Sequence, residues 1–169
     1  RAIYDGHWRR GVSLQIGQRP PERALRLAEI AAPHLAALQR KALWPSDLLV
    51  YNDFKMELAE SSRRLSGLSM NPRYGIGYRV DLFLSAPGRA WLAFCSDSEC
   101  ESAFAHYRAH PPANARSALV FKRELGAILD ETRRLGYAVR DAIFGGSEQD
   151  ITEFDDGFDA IAVPILMPD

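Results

Sequence analysis

Four side chains that commonly bind metal stand close together: Cys95, Cys100, His106 and His110, in the pattern C-x4-C-x5-H-x3-H. The spacing superficially resembles a zinc site. On a helix His106 and His110 share a face, but Pro111 and Pro112 fray that end. Cys95 and Cys100 are expected on different faces of a helix junction. Buried thiols and exposed imidazoles account for the four better than a metal does. A metal-binding or enzymatic module built on them is the alternative reading.

Other chemistry is weaker still. The acidic run Asp150, Glu153, Asp155, Asp156, Asp159 around Gly157 fails the EF-hand pattern, because Thr152 stands five before the glycine and no bidentate Glu follows at the right distance. Gly75-Ile76-Gly77 lacks the third glycine, the preceding strand and the following helix of a dinucleotide fingerprint. No serine or cysteine nucleophile comes with a supporting motif. The residues therefore predict no catalytic group, no metal and no cofactor. They predict recognition.

The most informative stretch is Ser85-Ala86-Pro87-Gly88-Arg89-Ala90-Trp91-Leu92-Ala93-Phe94-Cys95. It reads as a helix whose first half is nearly bare of bulk, so its start can press closely on a sheet or a ligand. Its unsatisfied N–H groups favour an anion. Trp44, Tyr51, Tyr78 and Trp91 flank the hairpin, the long loop and this helix as aromatic walls, with Arg79 and Arg140 as candidate cations. Aromatic walls with a few polar anchors describe a pocket for a small, aromatic anion.

The elements that must position these residues are legible in outline. Leu25, Ala28, Ala31/Ala32, Leu35, Leu38 and Ala42 recur every three or four residues and predict a helix. Pro33 should kink it or mark a join, and Pro45 should end it. Leu48–Tyr51, the turn Asn52-Asp53 and the alternating run Met56–Glu60 predict a hairpin. Residues 61–80 read as a long, functional loop. After the helix from Ser85, Ser96 and Glu99 form a capping box for a helix to about Tyr107, broken at His110-Pro111-Pro112. A last helix runs from about Ser117 to Leu135, closed by Gly136. Tyr137–Arg140 and Ala160–Leu166 read as strands. Helices and hairpins without βαβ alternation predict an α+β fold with an antiparallel sheet flanked by helices.

Composition bounds the rest. With 169 residues, 47% hydrophobic and 25% charged, the chain can bury a core of its own. Two cysteines and no secretory signal favour a reducing, cytoplasmic setting, and no run is long and apolar enough for a bilayer. The net charge of −1 carries no nucleic-acid signature. Charge is uneven, however. Residues 1–40 hold seven arginines against Asp5, Glu22 and Glu29, and the tail from Asp150 has six acidic residues and no basic one. Residues 1–20, ending in Gln18-Arg19-Pro20-Pro21, read as a connection from an upstream domain. Residues 21–169 read as the domain itself.

In that order the motifs resemble a known family. The first helix, Val50-Tyr51, Gly77-Tyr78-Arg79, Ser85–Ala90, Leu135-Gly136-Tyr137-Ala138 and Ala160-Ile161-Ala162-Val163-Pro164 together resemble the effector-binding domain of IclR-type transcription regulators. Leu43–Asp47 and Gly88–Cys95 look most like its MhpR group, regulators of aromatic catabolism. The resemblance covers nearly the whole chain. It implies a GAF-like domain that binds a small metabolite, DNA contact only through an upstream winged helix-turn-helix, and homodimers or tetramers. Members that bind small keto acids carry an Asp after the Gly-Tyr-x-x step, a Cys on the penultimate strand and a Ser-x-Ser on the last. The matching positions are Arg140 and Ala160; the Ser-x-Ser strand and a terminal helix have no counterpart before Asp169. A methyl for a thiol leaves room for a ring, and a guanidinium for a carboxylate offers a planar fork to an acid. The expected ligand is an aromatic carboxylate, and the expected effector-binding set is Trp44, Tyr51, Tyr78, Arg79, Ser85, Trp91, Arg140 and Ala160.

Overall fold

The computed structural model describes residues 2–4, 7–9, 22–66, 75–142 and 159–166. They fall into two compact units, Arg1–Val50 with Glu57–Arg79, and Tyr51–Met56 with Val80–Asp169. Elements are helices and short antiparallel pairs, as the α+β expectation requires.

In the first unit, β1 (Ala2–Tyr4) pairs antiparallel with β2 (His7–Arg9). The segment read as a plain connection therefore holds a hairpin. Helix α1 (Glu22–Ala42) is continuous through Pro33. Its i, i+4 periodicity is as expected, but the buried stripe is Ala24, Ala28, Ala32 and Ala36 with Gln39, whereas Leu25 and Leu38 are exposed. Small side chains let a helix approach its neighbour closely, so the alanines rather than the leucines take the inner face. The helix ends before Pro45, where Leu43 adopts φ of +62°. Buried Ser62 ties this end to the next strands: its hydroxyl donates to Gln39 Oε1 at 3.0 Å and accepts from the Ser46 N–H at 2.8 Å.

Strands β3 (Asp47–Asn52) and β4 (Lys55–Ser61) form the expected hairpin, and β5 (Arg79–Val80) adds to β4. The turn centres on Asp53 and Phe54, one residue later than expected, both with positive φ (46° and 60°), which is the primed turn that matches strand twist. Part of the predicted 61–80 loop is ordered structure: Ser61 closes β4, a 3-10 turn spans Arg63–Leu65, and β5 begins at Arg79.

The second unit is helical around one short antiparallel pair. Helix α2 (Ala86–Phe94) follows its Ser85 cap, and α3 (Asp97–Ala109) starts at Ser96 with the full capping box. The last helical stretch begins two residues early, at α4 (Ala115–Leu119), capped by Asn114. It passes through a π-turn at Val120–Glu124 into α5 (Leu125–Leu135), and Gly136 closes it at φ +78°. The wider turn is the feature that a 3.6-residue period cannot reveal. Strands β6 (Ala138–Val139) and β7 (Ile161–Ala162) pair antiparallel and are shorter than the predicted 137–140 and 160–166. The acidic run from Asp150 through Phe158 lies outside the described residues. Leu82, Phe83, Leu84, Leu92 and Val120 are almost wholly buried and centre the core of this unit.

Candidate functional site

The small-residue start of α2 is packed against its own lead-in. A Cβ on Gly88 would meet Leu82 Cα and O at 2.5 Å and Asp81 O at 2.7 Å, so only glycine fits. Asp81 shapes that lead-in: its Oδ1 accepts the N–H groups of Phe83 and Leu84, both at 2.6 Å. The Ser85 hydroxyl accepts from the Gly88 N–H at 3.1 Å and donates to the Asp81 carbonyl. Ser85 is buried and Pro87 has no N–H. Capping thus occupies the Gly88 N–H, one of the groups that the sequence offered to an anion.

One turn on, Arg89 joins α2 to β6. Its Nε donates to Phe83 O at 2.7 Å, one terminal nitrogen to Val139 O at 3.0 Å and the other to Asp141 Oδ2 at 2.9 Å. Arg116 of α4 reaches the same carboxylate oxygen at 2.9 Å and Glu124 Oε1 at 2.8 Å. Burial pulls the Arg89 guanidinium below its ordinary value while Asp141 pushes it back; the more exposed Arg116 is held up by its bonds to Asp141 and Glu124. Arginine stays charged through such shifts. The cluster is charge-balanced, two guanidinium groups against two carboxylates. Sequence reasoning passed over Arg89, Arg116 and Asp141; their signal was an arginine inside an otherwise apolar helix, which burial can tolerate only with partners.

Backbone bonds set three of the predicted residues near this cluster in the chain. The Asp141 N–H donates to Leu84 O at 2.8 Å, next to Ser85, and the Arg140 N–H donates to Ala160 O at 3.1 Å, extending the β6–β7 ladder. With Ala138 opposite Ala162 and Val139 opposite Ile161, alternation puts Arg140 and Ala160 on the face of buried Ala138. Val139 and Ile161 occupy the other, exposed face.

The aromatic residues divide. Tyr51 stacks on Trp91 with ring centroids 3.8 Å apart and planes within 3°. Trp91 is two residues from Arg89, about 200° around the helix, so this stack sits on the side of α2 away from β6. Burial raises the Tyr51 hydroxyl above its ordinary value. Trp44, exposed, and Tyr78 and Arg79, half-buried, belong to the first unit; the Tyr78 carbonyl accepts from the Leu58 N–H at 2.8 Å. The eight predicted residues therefore form an arginine end (Ser85, Arg140, Ala160), a separate stack (Tyr51, Trp91) and three in the other unit.

The C-x4-C-x5-H-x3-H quartet separates too. His106 stacks on Phe54 at 3.6 Å, and with His110 it lines an open cleft of about 220 Å³ beside Tyr107 and Pro111. Tyr107 secures the turn above through its hydroxyl, which donates to Phe54 O at 2.5 Å. The cleft is smaller than an ordinary ligand pocket. Cys95 and Cys100 sit at the α2–α3 junction, one just before the Ser96 cap and one in the first turn of α3, and the Cys95 thiol donates to Leu92 O at 3.7 Å. Among the described residues no three His, Cys, Asp or Glu side chains are grouped to hold a metal ion.

A mixed helical and antiparallel arrangement of this kind is the GAF-like fold of ligand-sensing domains. The family described as bacterial transcriptional regulator IclR C-terminal matches residues 23–166, and the chain belongs to that family. Solved structures agree in fold. An IclR family transcriptional regulator from Brucella abortus superposes with a TM-score of 0.60 at 22% identity, over 85% of this chain and 48% of that one. The inducer-binding domain of PobR from Acinetobacter, a double mutant in complex with 3-hydroxybenzoic acid, gives 0.60 at 14%, over 82% and 74%. An IclR homolog from Microbacterium hydrocarbonoxydans, complexed with 4-hydroxybenzoate, gives 0.54 at 20%, over 76% and 53%. The chain spans about half the length of several of the solved regulators it matches. Among the described residues no helix is long and apolar enough to cross a membrane.

Proposed function

We propose that this chain is the effector-sensing part of a cytoplasmic transcription regulator, that its effector is an aromatic carboxylate of the MhpR-group kind, and that Arg140 anchors the acid. The carrying observation is the β6–β7 ladder, which sets Arg140 beside Ala160 on the inward face of the strand pair. A guanidinium fork next to a methyl-sized residue offers charge for a carboxylate and room for a ring. Two fold relatives hold hydroxybenzoates, which supports the same ligand class. DNA contact belongs to a further domain of the regulator, and the sensing domains associate as dimers or tetramers.

The test compares an acid with its neutral amide. A charge-assisted contact contributes about 1.5–3 kcal/mol, roughly ten- to hundredfold in affinity. Arg140→Ala should weaken 4-hydroxybenzoate or a hydroxyphenylpropionate by that factor in calorimetric titration and leave the matching amide nearly unchanged. Equal losses for acid and amide would remove Arg140 from the anchor role.

A further inference from the structure

Cys95 and Cys100 are the chain's two cysteines, both reduced and both half-buried. They flank the start of α3, whose capping box is complete: the Glu99 N–H donates to Ser96 Oγ at 3.4 Å, and the Ser96 N–H donates to Glu99 Oε2 at 3.1 Å. Such a box sets the angle at which the chain enters the helix. Its usual companion is a contact between the residue before the cap and the fourth helical residue. Those positions are normally apolar; here they are Cys95 and Cys100. Both backbones are pinned, the Cys95 N–H to Trp91 O at 2.7 Å and the Cys100 N–H to Ser96 O at 2.9 Å. The junction therefore sets the two thiols at the pair of positions that a capping box brings together. Burial first, then the neighbouring Cys100 thiol, pushes Cys95 up to about 12.

We propose that Cys95 and Cys100 form a thiol-modification site, a dithiol that closes to an intramolecular disulfide with a low-molecular-weight disulfide as oxidant. The Cys100 thiolate attacks one sulfur of the reagent, forming a mixed disulfide and releasing one reagent thiol. Cys95, its proton passing to solvent base, then attacks the Cys100 sulfur and releases the second. Two electrons pass from the cysteine pair to the reagent, whose one disulfide becomes two thiols. Closure fastens the last turn of α2, which carries Trp91, to the first turn of α3. The site is independent of the effector reading.

Oxidised glutathione is the probe, applied to the purified chain in graded mixtures with reduced glutathione, followed by acid quench, maleimide counting of thiols and intact mass. Both thiols should vanish together, the mass should fall by two hydrogens, and the product should stay monomeric on a non-reducing gel. Closure should need about tenfold less oxidised glutathione than labels the remaining cysteine in C95S or C100S, because the second thiol acts at high effective concentration. In each single variant a glutathione adduct should accumulate instead. Independent adducts on both cysteines of the unaltered chain, or thiols that persist where a reference dithiol is fully oxidised, would overturn the proposal without recourse to the variants.

Discussion

A glycine and an arginine in adjacent positions decide how the second unit holds together. Gly88 lets the backbone of Leu82 lie directly on α2, and Arg89 turns that close approach into a bonded corner with β6 and Asp141. The obstacle to a larger residue at 88 is main chain, which cannot swing aside as a side-chain tip would. Gly88→Ala should therefore destabilise the protein by about 1–3 kcal/mol despite the better helix propensity of alanine, read as a fall in the midpoint of thermal unfolding. An unchanged or raised midpoint would show that the turn at 82–84 relaxes without loss. The small-residue run was legible as a close-packed helix start. Its meaning was not: the Ser85 cap takes the Gly88 N–H, one of the groups that looked ready for a ligand. A capping side chain and an anion compete for the same donors, and residue type alone does not separate the two.

Elements with local signals were read well, and those defined by distant partners less completely. The Ser96–Glu99 box, the Gly136 stop and the β3–β4 hairpin are short-range features. By contrast β5 is two residues long and exists only through pairing, β6 and β7 fill only part of the strands predicted at 137–140 and 160–166, and the π-turn at 120–124 has no composition of its own. The candidate site suffered in the same way. Arg140 and Ala160 meet because a ladder aligns them, whereas Trp91 is turned from them by helical pitch. Helix α1 tests the opposite case, a strong local signal overridden. Pro33 sits exposed inside it, with no N–H to give to the Glu29 carbonyl. Pro33→Ala should restore that bond and stabilise the chain by about 1–3 kcal/mol, visible as a higher urea midpoint at constant slope. A lower midpoint would mean that the proline is needed for the packing of the alanine stripe.

At the scale of the molecule, one surface stands out from a nearly neutral whole. Val139, Ile161, Val163, Ile165 and Leu166 are each at least half exposed, and β7 pairs only with β6 among the described residues. An apolar strand whose outer edge is unpaired among the described residues is a template for association. The chain should sediment as an oligomer at high concentration. Replacing Ile161 and Ile165 with lysine should shift it toward monomer without altering its far-ultraviolet circular dichroism. Oligomers that survive the double substitution would move the contact to another surface.

The bonding of Arg89 also has a meaning in time. Two of its three acceptors come from residues 50 and 52 positions further along the chain. As the polypeptide leaves the ribosome, α2 can wind as soon as it emerges, but its guanidinium has no carboxylate to meet until Asp141 has been made. The corner is therefore completed only once residue 141 has been made. A chain cut short before that point would leave Arg89 without two of its three acceptors, and burying it there would cost the full desolvation of an unpaired cation.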